Sequence, residues 1–574
     1  MIKKAPLSLA VIALFFLLIP PVNFNHHRYS SDEGVIHWDI KSYYAYLPAT
    51  FIYNDLSLDF IETNPSKFNK WIWPVSTPIG KRAILTTMGV SVLYAPFFFI
   101  AHSFALVSPN YEADGYSFPY HVALQFSTFF YFLIALWVLR KILMKYYSDA
   151  VTALTLLGIG LGTNLFYYVG YEAPMPHGYN FMLIIFFIWF LEKWVENISI
   201  KNTIALGAIS GLVALIRPTN IAILILIPLW KVASWNDFKQ RIFLMLNKWH
   251  YILLMALVFI AIWVPQFIYW KHVSGKIFYF SYGEAGGKFF FNNPQIWKIL
   301  FSYEKGWFVY TPMMLVAVLG IITLAKKKIK LSLPIFIYVS VMVYVLSSWW
   351  CWWFGGSFGQ RSMIDFYGLM SIPLAALIDA GFKKKWLKYG TILLIILLIA
   401  FNQFNIKQYR NMAISYWWMN KEGYWENFLK VRPTCKYWNV AIQPNYPKAR
   451  LGIYEPMATY NKSLAVTDEM LINHIKIQEL KNKPLIDSLY TVTPNQQKDT
   501  ITLLEDFAKE KVASHSAGVY FEKLKLDNYS KNILDCKSWM DKLKIKAEKQ
   551  NLPIEQMVEI ESKRIFTHYG EQYD

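Results

Sequence analysis

The sequence predicts an all-α polytopic membrane protein that carries a mainly helical soluble domain at its C-terminus. Of the 574 residues, 55% are hydrophobic and only 17% are charged, whereas about a quarter of the residues are charged in a typical soluble protein. The apolar residues form runs that approach the roughly 20 residues a helix needs to cross the hydrocarbon core of a bilayer. From residue 406 onward the sequence is polar and rich in Asn and Lys.

About eleven runs are predicted to cross the bilayer. The first, Ala5–Pro20, follows Lys3 and Lys4, and it is long for a signal peptide and lacks a small-residue cleavage site. The other ten are 118–139, 149–168, 178–195, 203–216, 219–231, 250–270, 308–325, 332–348, 365–381 and 388–405.

The basic residues between these runs predict the orientation. They gather on one side, which the positive-inside rule assigns to the cytoplasm, and they account for the net charge of +19 without a nucleic-acid partner. The clusters are Lys3/Lys4, Arg140/Lys141/Lys145, Lys193/Lys201, Lys231/Lys239/Arg241, Lys326/Lys327/Lys328/Lys330 and Lys383/Lys384/Lys385. An odd number of spans then places the soluble domain, 406–574, outside.

A further apolar run, 83–107, is predicted to lie in the interface or to re-enter the membrane within the first outer loop, 23–117. If it crossed, the basic cluster after the next span would move outside, against the positive-inside rule. Pro96 and several polar residues are expected to interrupt this run, which suits interfacial helices.

The three cysteines, Cys351, Cys435 and Cys536, indicate no zinc site, because none are paired at metal-ligand spacing. A disulfide between Cys435 and Cys536 stays open, since both are predicted outside the cytoplasm, although their spacing does not argue for one.

The first outer loop contains charged side chains among aromatic ones, and we consider it a candidate site. A carboxyl group buried among aromatic rings can have a raised pKa and act as a base; the alternative is an interfacial aromatic belt with solvated charges. The cluster consists of Asp32, Glu33, His37, Trp38, Asp39, Lys41, Tyr43 and Tyr44.

Four further polar clusters fall on the same predicted face. Lys81 and Arg82 suit either an anionic headgroup or surface anchoring. Glu172 and His177 are too few ligands to argue for a metal. The remaining candidates are Arg217 with Asn220, the glycine-rich segment Trp349–Asp365 with Gln360, Arg361 and Asp365, and Glu284 in the long loop 271–306.

On these residues the chain resembles the GT-C superfamily of membrane glycosyltransferases, which includes protein O-mannosyltransferases and aminoarabinose transferases. Asp39, in a long first outer loop, is similar to the catalytic Asp of that family. Lys81 and Arg82, before an interfacial apolar stretch, are similar to a donor-phosphate motif. The segments Tyr43–Pro48 and Phe354–Asp365 resemble uncharacterised members from Bacteroidota-type bacteria.

The resemblance implies transfer of a sugar from a polyprenyl-phosphate donor to a lipid, glycan or protein acceptor at the periplasmic face of a bacterial inner membrane. It implies inversion, with Asp39 as general base and cations around the leaving phosphate. Asp32 and Glu33 compete with Asp39 for the catalytic role, and participation of a divalent metal is open. Two other classes remain: a transporter or flippase of lipid-linked sugar, and a non-catalytic envelope assembly protein.

Overall fold

The computed structural model describes residues 6–24, 34–284, 286–459, 466–492 and 498–569. Lys3, Lys4, Asp32 and Glu33 therefore lie outside the described residues. The chain divides into two compact units, Met1–Ile406 and Lys407–Asp574. The division falls beside the domain boundary predicted from composition, although the role assigned to each unit stays a prediction.

The first unit is built from helices that begin at α1 and end in α20. They are α1 Pro6–Phe24, α2 Asp39–Tyr44, α3 Tyr46–Phe51, α4 Pro65–Phe68, α5 Gly89–Val107, α6 Phe118–Leu143, α7 Asp149–Leu161, α8 Leu165–Gly170, α9 Pro176–Glu196, α10 Ile200–Ile216, α11 Leu226–Leu229, α12 Trp235–Asn247, α13 Trp249–Ser274, α14 Ser281–Glu284, α15 Ile296–Phe301, α16 Trp307–Tyr310, α17 Pro312–Lys326, α18 Ser332–Ser347, α19 Tyr367–Gly381 and α20 Lys385–Arg410, with 3-10 turns at Asp59–Thr63, Pro218–Ile225 and Arg361–Phe366.

The second unit is also mainly helical. Its helices are α21 Lys421–Asn427, α22 Tyr437–Val440, α23 Tyr446–Ala449, α24 Asp468–Glu479, α25 Lys483–Val492, α26 Thr500–Ala513, α27 Gly518–Leu534, α28 Lys537–Gln550 and α29 Ile554–Tyr569. In the described part of the chain, sheet is limited to two antiparallel pairs: β1 Pro74–Ser76 with β2 Arg82–Ile84, and β3 Ile442–Pro444 with β4 Pro456–Thr459.

Apolar helices dominate the first unit, as predicted. Among the described residues, seven helices are long and apolar enough to cross a membrane, and five shorter apolar helices accompany them. The long ones are α1, α5, α6, α9, α13, α20 and the continuous segment Arg361–Gly381. Every run predicted to span coincides with one of these twelve helices, so the chain is a mainly helical protein whose apolar helices suit a membrane.

The packed helices have two chemically different ends. At one end, Glu192 near the C-terminus of α9 forms ion pairs with Lys145 (3.0 Å) and Lys231 (3.3 Å). Lys330 and Lys327 likewise bind acidic residues of neighbouring helix ends, Asp237 and Asp379. We refer to this as the basic end. At the opposite end, the N-terminus of α9 meets the C-terminus of α10 and the start of the Arg361–Gly381 segment.

The helix α5 corrects one detail of the sequence analysis. It runs without a break through Pro96, so the expectation that this residue interrupts the run was wrong. Gly89 at its N-terminus lies so close to Ile216 that an added Cβ would stand 2.4 Å from the Ile216 nitrogen. The helix packs antiparallel along α6, from Leu93 beside Tyr131 to Phe98 beside Tyr120. Its length and composition equal those of a span.

Close backbone approach holds the centre of this unit together. Gly320 of α17 faces the Pro373 carbonyl of α19, where an added Cβ would stand 2.0 Å from the carbonyl oxygen. Glycine lets two helices approach to backbone contact, which gains dispersion energy over a long seam. This seam fixes α19, which follows directly on the segment that carries Arg361 and Asp365.

The second unit has its own core and a covalent link. Trp539, Ile533 and Met557 are buried in one hydrophobic cluster. Cys435 and Cys536 form a disulfide, which decides the pairing that the sequence left open. Arg564 donates two hydrogen bonds to Glu422 at 3.0 and 2.9 Å.

Candidate functional site

The most heavily hydrogen-bonded carboxylate of the candidate site is Asp365, whose side chain is fully buried. His177 contacts Oδ1 at 3.2 Å. Asn180, Asn220 and Arg217 all donate to Oδ2, at 3.1, 2.8 and 3.1 Å. A carboxylate is stable inside a protein when donors and a cation surround it. Asp365 therefore acts as an anchor that joins α9, the segment after α10, and its own helix.

Arg217 owes its position to the local sequence. Pro218 follows it, and because proline disfavours the α conformation in the preceding residue, α10 ends at Ile216 and Arg217 is extended (φ −145°, ψ 109°). Its guanidinium group lies 5.4 Å from the centre of the Phe354 ring. The arginine faces protein, as its cost in an apolar setting requires.

The second carboxylate, Asp39, is placed differently. It opens α2, and its Oδ2 accepts a hydrogen bond from Arg361 Nη2 at 2.8 Å. Its side chain is 45% exposed, whereas that of Arg361 is 15% exposed. The preceding residue, Trp38, has φ 46° and ψ −133°, a conformation that costs a non-glycine residue roughly 1–3 kcal/mol. This strained backbone sets the direction in which Asp39 leaves the chain.

The two arginines have donors to spare. A guanidinium group has five N–H donors, and among the described residues each of Arg217 and Arg361 makes one hydrogen bond, to Asp365 and Asp39 respectively. The Arg217 side chain is 14% exposed. Both cations act electrostatically on the hydroxyl of Tyr43, so they converge on one place. The remaining donors suit an anion with several oxygens, such as a phosphate.

Two glycines and a buried lysine fix the conformation of the loop that leads to Arg361. Gly355 (φ 67°) and Gly359 (φ 58°) adopt left-handed conformations, which glycine reaches without steric cost. Between them, the Ser357 carbonyl accepts a hydrogen bond from the buried Lys305. Burial lowers the pKa of Lys305 and raises that of its neighbour Glu304. This pair lies outside the predicted spans, and Lys305 supports the loop through Ser357.

Aromatic side chains surround the charged groups. Burial, followed by the Asp39 charge, raises the pKa of Tyr43 to about 12, so its hydroxyl stays protonated. Burial likewise raises the pKa of Tyr282, which lies near Tyr43, Asp39 and the two arginines. Trp38 is exposed and packs edge-on against Trp73 at 5.7 Å.

Other predicted residues of the first loop serve the local structure. The Lys41 ammonium lies 4.5 Å from the centre of the Trp73 ring. His37 Nδ1 contacts the Val35 carbonyl oxygen at 3.0 Å. Tyr44 is fully buried and bonds to the Gly115 carbonyl, so it belongs to the packed core of the loop.

The remaining candidates divide between the site and its surroundings. Glu172 influences Arg361 electrostatically and accepts a hydrogen bond from Tyr167 at 3.1 Å. Gln360 is buried and donates to the Trp352 carbonyl at 3.0 Å. The side chain of Glu284 lies outside the described part of the chain, although its backbone closes α14.

Lys81 and Arg82 lie on the β1–β2 hairpin and have other partners. Lys81 donates to the His272 carbonyl at 3.2 Å. Arg82 pairs with Glu62 and lies 3.9 Å from Asp59. In the described structure these contacts do not reach Asp39 or Asp365, so a role of this dipeptide in binding a phosphate stays a prediction.

Sequence reasoning did not single out Asn180, Lys305 or Trp73 as members of the site. Asn180 lies one helical turn after His177, and this spacing on an otherwise apolar helix is a signal that could have identified it. Lys305 and Trp73 carry no such signal, because their positions depend on long-range packing. Among the described residues no group of three or more His, Cys, Asp or Glu side chains could hold a metal ion.

Comparisons with known proteins identify no relative: no protein-family model, no curated protein and no solved structure matches the chain.

Proposed function

We propose that this protein is a membrane glycosyltransferase of the GT-C type. It moves a sugar from a polyprenyl-phosphate donor to an acceptor hydroxyl or amine on the extracytoplasmic face of a bacterial inner membrane. The observation that carries the proposal is the half-exposed Asp39 carboxylate held by Arg361, beside a second arginine with unused donors. This combination provides a base and an anion site within one polar cluster among apolar helices.

The chemistry requires only these groups. The acceptor oxygen or nitrogen attacks the anomeric carbon, and its proton passes to Asp39. The bond from that carbon to the phosphate oxygen breaks, and the polyprenyl phosphate leaves with the electron pair. Arg217 and Arg361 neutralise the charge that grows on the leaving oxygen, as preorganised donors and cations do in acyl and phosphoryl transfers. A single displacement inverts the configuration of the sugar.

We infer the orientation from two features. The ion-paired basic clusters gather at one end of the helices, and the positive-inside rule assigns such an end to the cytoplasm. The disulfide of the second unit favours an oxidising compartment for that unit. Both features support the proposal that the chain crosses about eleven times, with α5 in the interface, and that the site and the second unit face the periplasm.

The proposal is tested by sugar transfer in membranes from cells that express Asp39→Asn or the wild-type chain. A panel of radiolabelled polyprenyl-phosphate sugars serves as donor. Asp59→Asn is the matched control, because Asp59 is an exposed carboxylate of the same loop. We expect Asp39→Asn to lose at least about 100-fold in rate, as removal of a general base does, while Asp59→Asn transfers normally.

Two outcomes would count against the assignment. Normal transfer by Asp39→Asn would remove this residue as the base and make Asp32 and Glu33 the next variants. No transfer by the wild-type chain with any donor, combined with exchange of labelled lipid-linked sugar across vesicle membranes, would establish the transporter alternative instead.

A further inference from the structure

The helix α12 differs from its neighbours because it contributes nothing to the core. It lies between the apolar segment Pro218–Leu229 and the long helix α13, and none of its thirteen residues is buried. It is nevertheless well defined at its start, where Ser234 and Asp237 form a reciprocal capping box. Lys330 holds Asp237 at 2.8 Å, which places α12 at the basic end.

The residues of α12 separate into two faces. At 100° per residue, Trp235, Phe243 and Leu246 fall on one exposed arc, with Lys239 between them. All three apolar side chains are exposed. The polar Gln240 and Asn247 lie about 120° and 100° around the helix from Leu246. Trp249, which is also exposed, extends the apolar arc beyond the helix. A soluble protein has no reason to present such an arc to water.

One side of this helix is attached to the preceding segment. Arg241 donates to the Trp230 carbonyl at 3.2 Å, and its Nη1 is buried there. At 100° per residue Arg241 lies about 160° around the helix from Lys239. Arg241 therefore holds α12 against the protein, whereas Lys239 stays on the exposed side.

We propose that α12 lies in the headgroup layer at the basic end and binds an anionic phospholipid. Its apolar arc enters the acyl boundary, as in other interfacial helices. Lys239, on the exposed side of the helix, binds the lipid phosphate. The charge of the neighbouring lysines favours an anionic lipid over a zwitterionic one. This inference does not depend on the glycosyltransferase proposal.

The orientation of the helix is tested with the full-length chain in nanodiscs of phosphatidylglycerol and phosphatidylcholine. Leu246→Cys and, as the control about 120° around the helix, Gln240→Cys are labelled with an environment-sensitive dye. The natural cysteines do not interfere, because Cys351 is buried and the other two are disulfide-bonded. We expect spin-labelled lipid to quench the dye at position 246 and iodide to quench it at position 240. Equal iodide quenching at both positions would overturn the proposal and leave the arc for a protein partner.

Lipid selectivity is tested by native mass spectrometry of retained phosphatidylglycerol against phosphatidylcholine. We expect Lys239→Gln to weaken phosphatidylglycerol binding about fivefold, since a cation near a lipid surface contributes about fivefold. The control is Lys383→Gln, an exposed lysine of the same end. If the control variant lowers retention and Lys239→Gln does not, the lipid binds elsewhere and the proposal is wrong.

Discussion

Replacing Asp365 by asparagine removes one charge and leaves the shape unchanged, so it isolates the role of the buried anchor. Four donors converge on this carboxylate, three of them on Oδ2. The amide keeps one acceptor oxygen, but its NH2 group must face donors, and Arg217 loses its counter-charge. Removing one partner of a buried ion pair costs about 3–5 kcal/mol of stability. Because the amide oxygen still accepts hydrogen bonds, we expect Asp365→Asn to cost about 3 kcal/mol. For a large domain this lowers the melting temperature by about 6 °C or less.

The assay is thermal unfolding of the full chain in detergent, followed by tryptophan fluorescence. Asp379→Asn is the matched control, because Asp379 lies on the same helix, α19, and pairs at the surface with Lys327. An exposed pair of this kind contributes about 0–1 kcal/mol. Adding Arg217→Gln to Asp365→Asn should recover part of the lost stability, because it removes the uncompensated charge. An unchanged melting temperature for Asp365→Asn, or strict additivity of the two substitutions, would refute this reasoning.

Three further predictions concern stability. Burial alone would raise the pKa of Glu422, but its bonds to Arg564 and other donors lower it to about 2. The stabilisation from Glu422 is therefore present above about pH 4.5 and lost as the pH falls towards 2. Because the group is partly exposed, Glu422→Gln should cost about 1–2 kcal/mol at pH 7 and make acid unfolding less dependent on pH. Opening the disulfide, whose cysteines lie 101 residues apart, with Cys435→Ser should destabilise the second unit by up to about 4.7 kcal/mol, seen as faster proteolysis there; equal protease resistance would contradict this. Gly320→Ala should lower the melting temperature because the methyl group meets backbone, whereas Gly390→Ala, with no atom within 4 Å, should not; similar values for both would show that the seam can relax.

Much of the architecture could be predicted because its cause is local. Apolar runs of sufficient length, the basic clusters between them and the change of composition at residue 406 are visible in the sequence. The strongest site candidates came from the same kind of signal. Arg217, Arg361 and Asp365 are charged residues in or beside apolar sequence, and such residues need a partner.

The partners themselves could not be predicted, since they depend on how distant segments pack. Asp39 and Arg361 are separated by more than half the chain. The neighbouring sequence does not show that Asp365 is surrounded by hydrogen-bond donors whereas Asp39 is accessible. It also does not show that Arg82 binds Glu62. The predicted interruption at Pro96 was wrong because proline weakens a helix locally, whereas tertiary packing can keep the helix continuous.

The unequal bonding of the two carboxylates determines what an arriving anion encounters. Asp365 takes its donors from two segments and is buried, whereas Asp39 is bound by one arginine and is half-exposed. An anion that binds the unused donors of Arg361 therefore meets a guanidinium group whose charge Asp39 already partly neutralises. The Asp39 charge lowers the affinity of Arg361 for a second anion, and it sets the threshold that the affinity of a ligand must exceed.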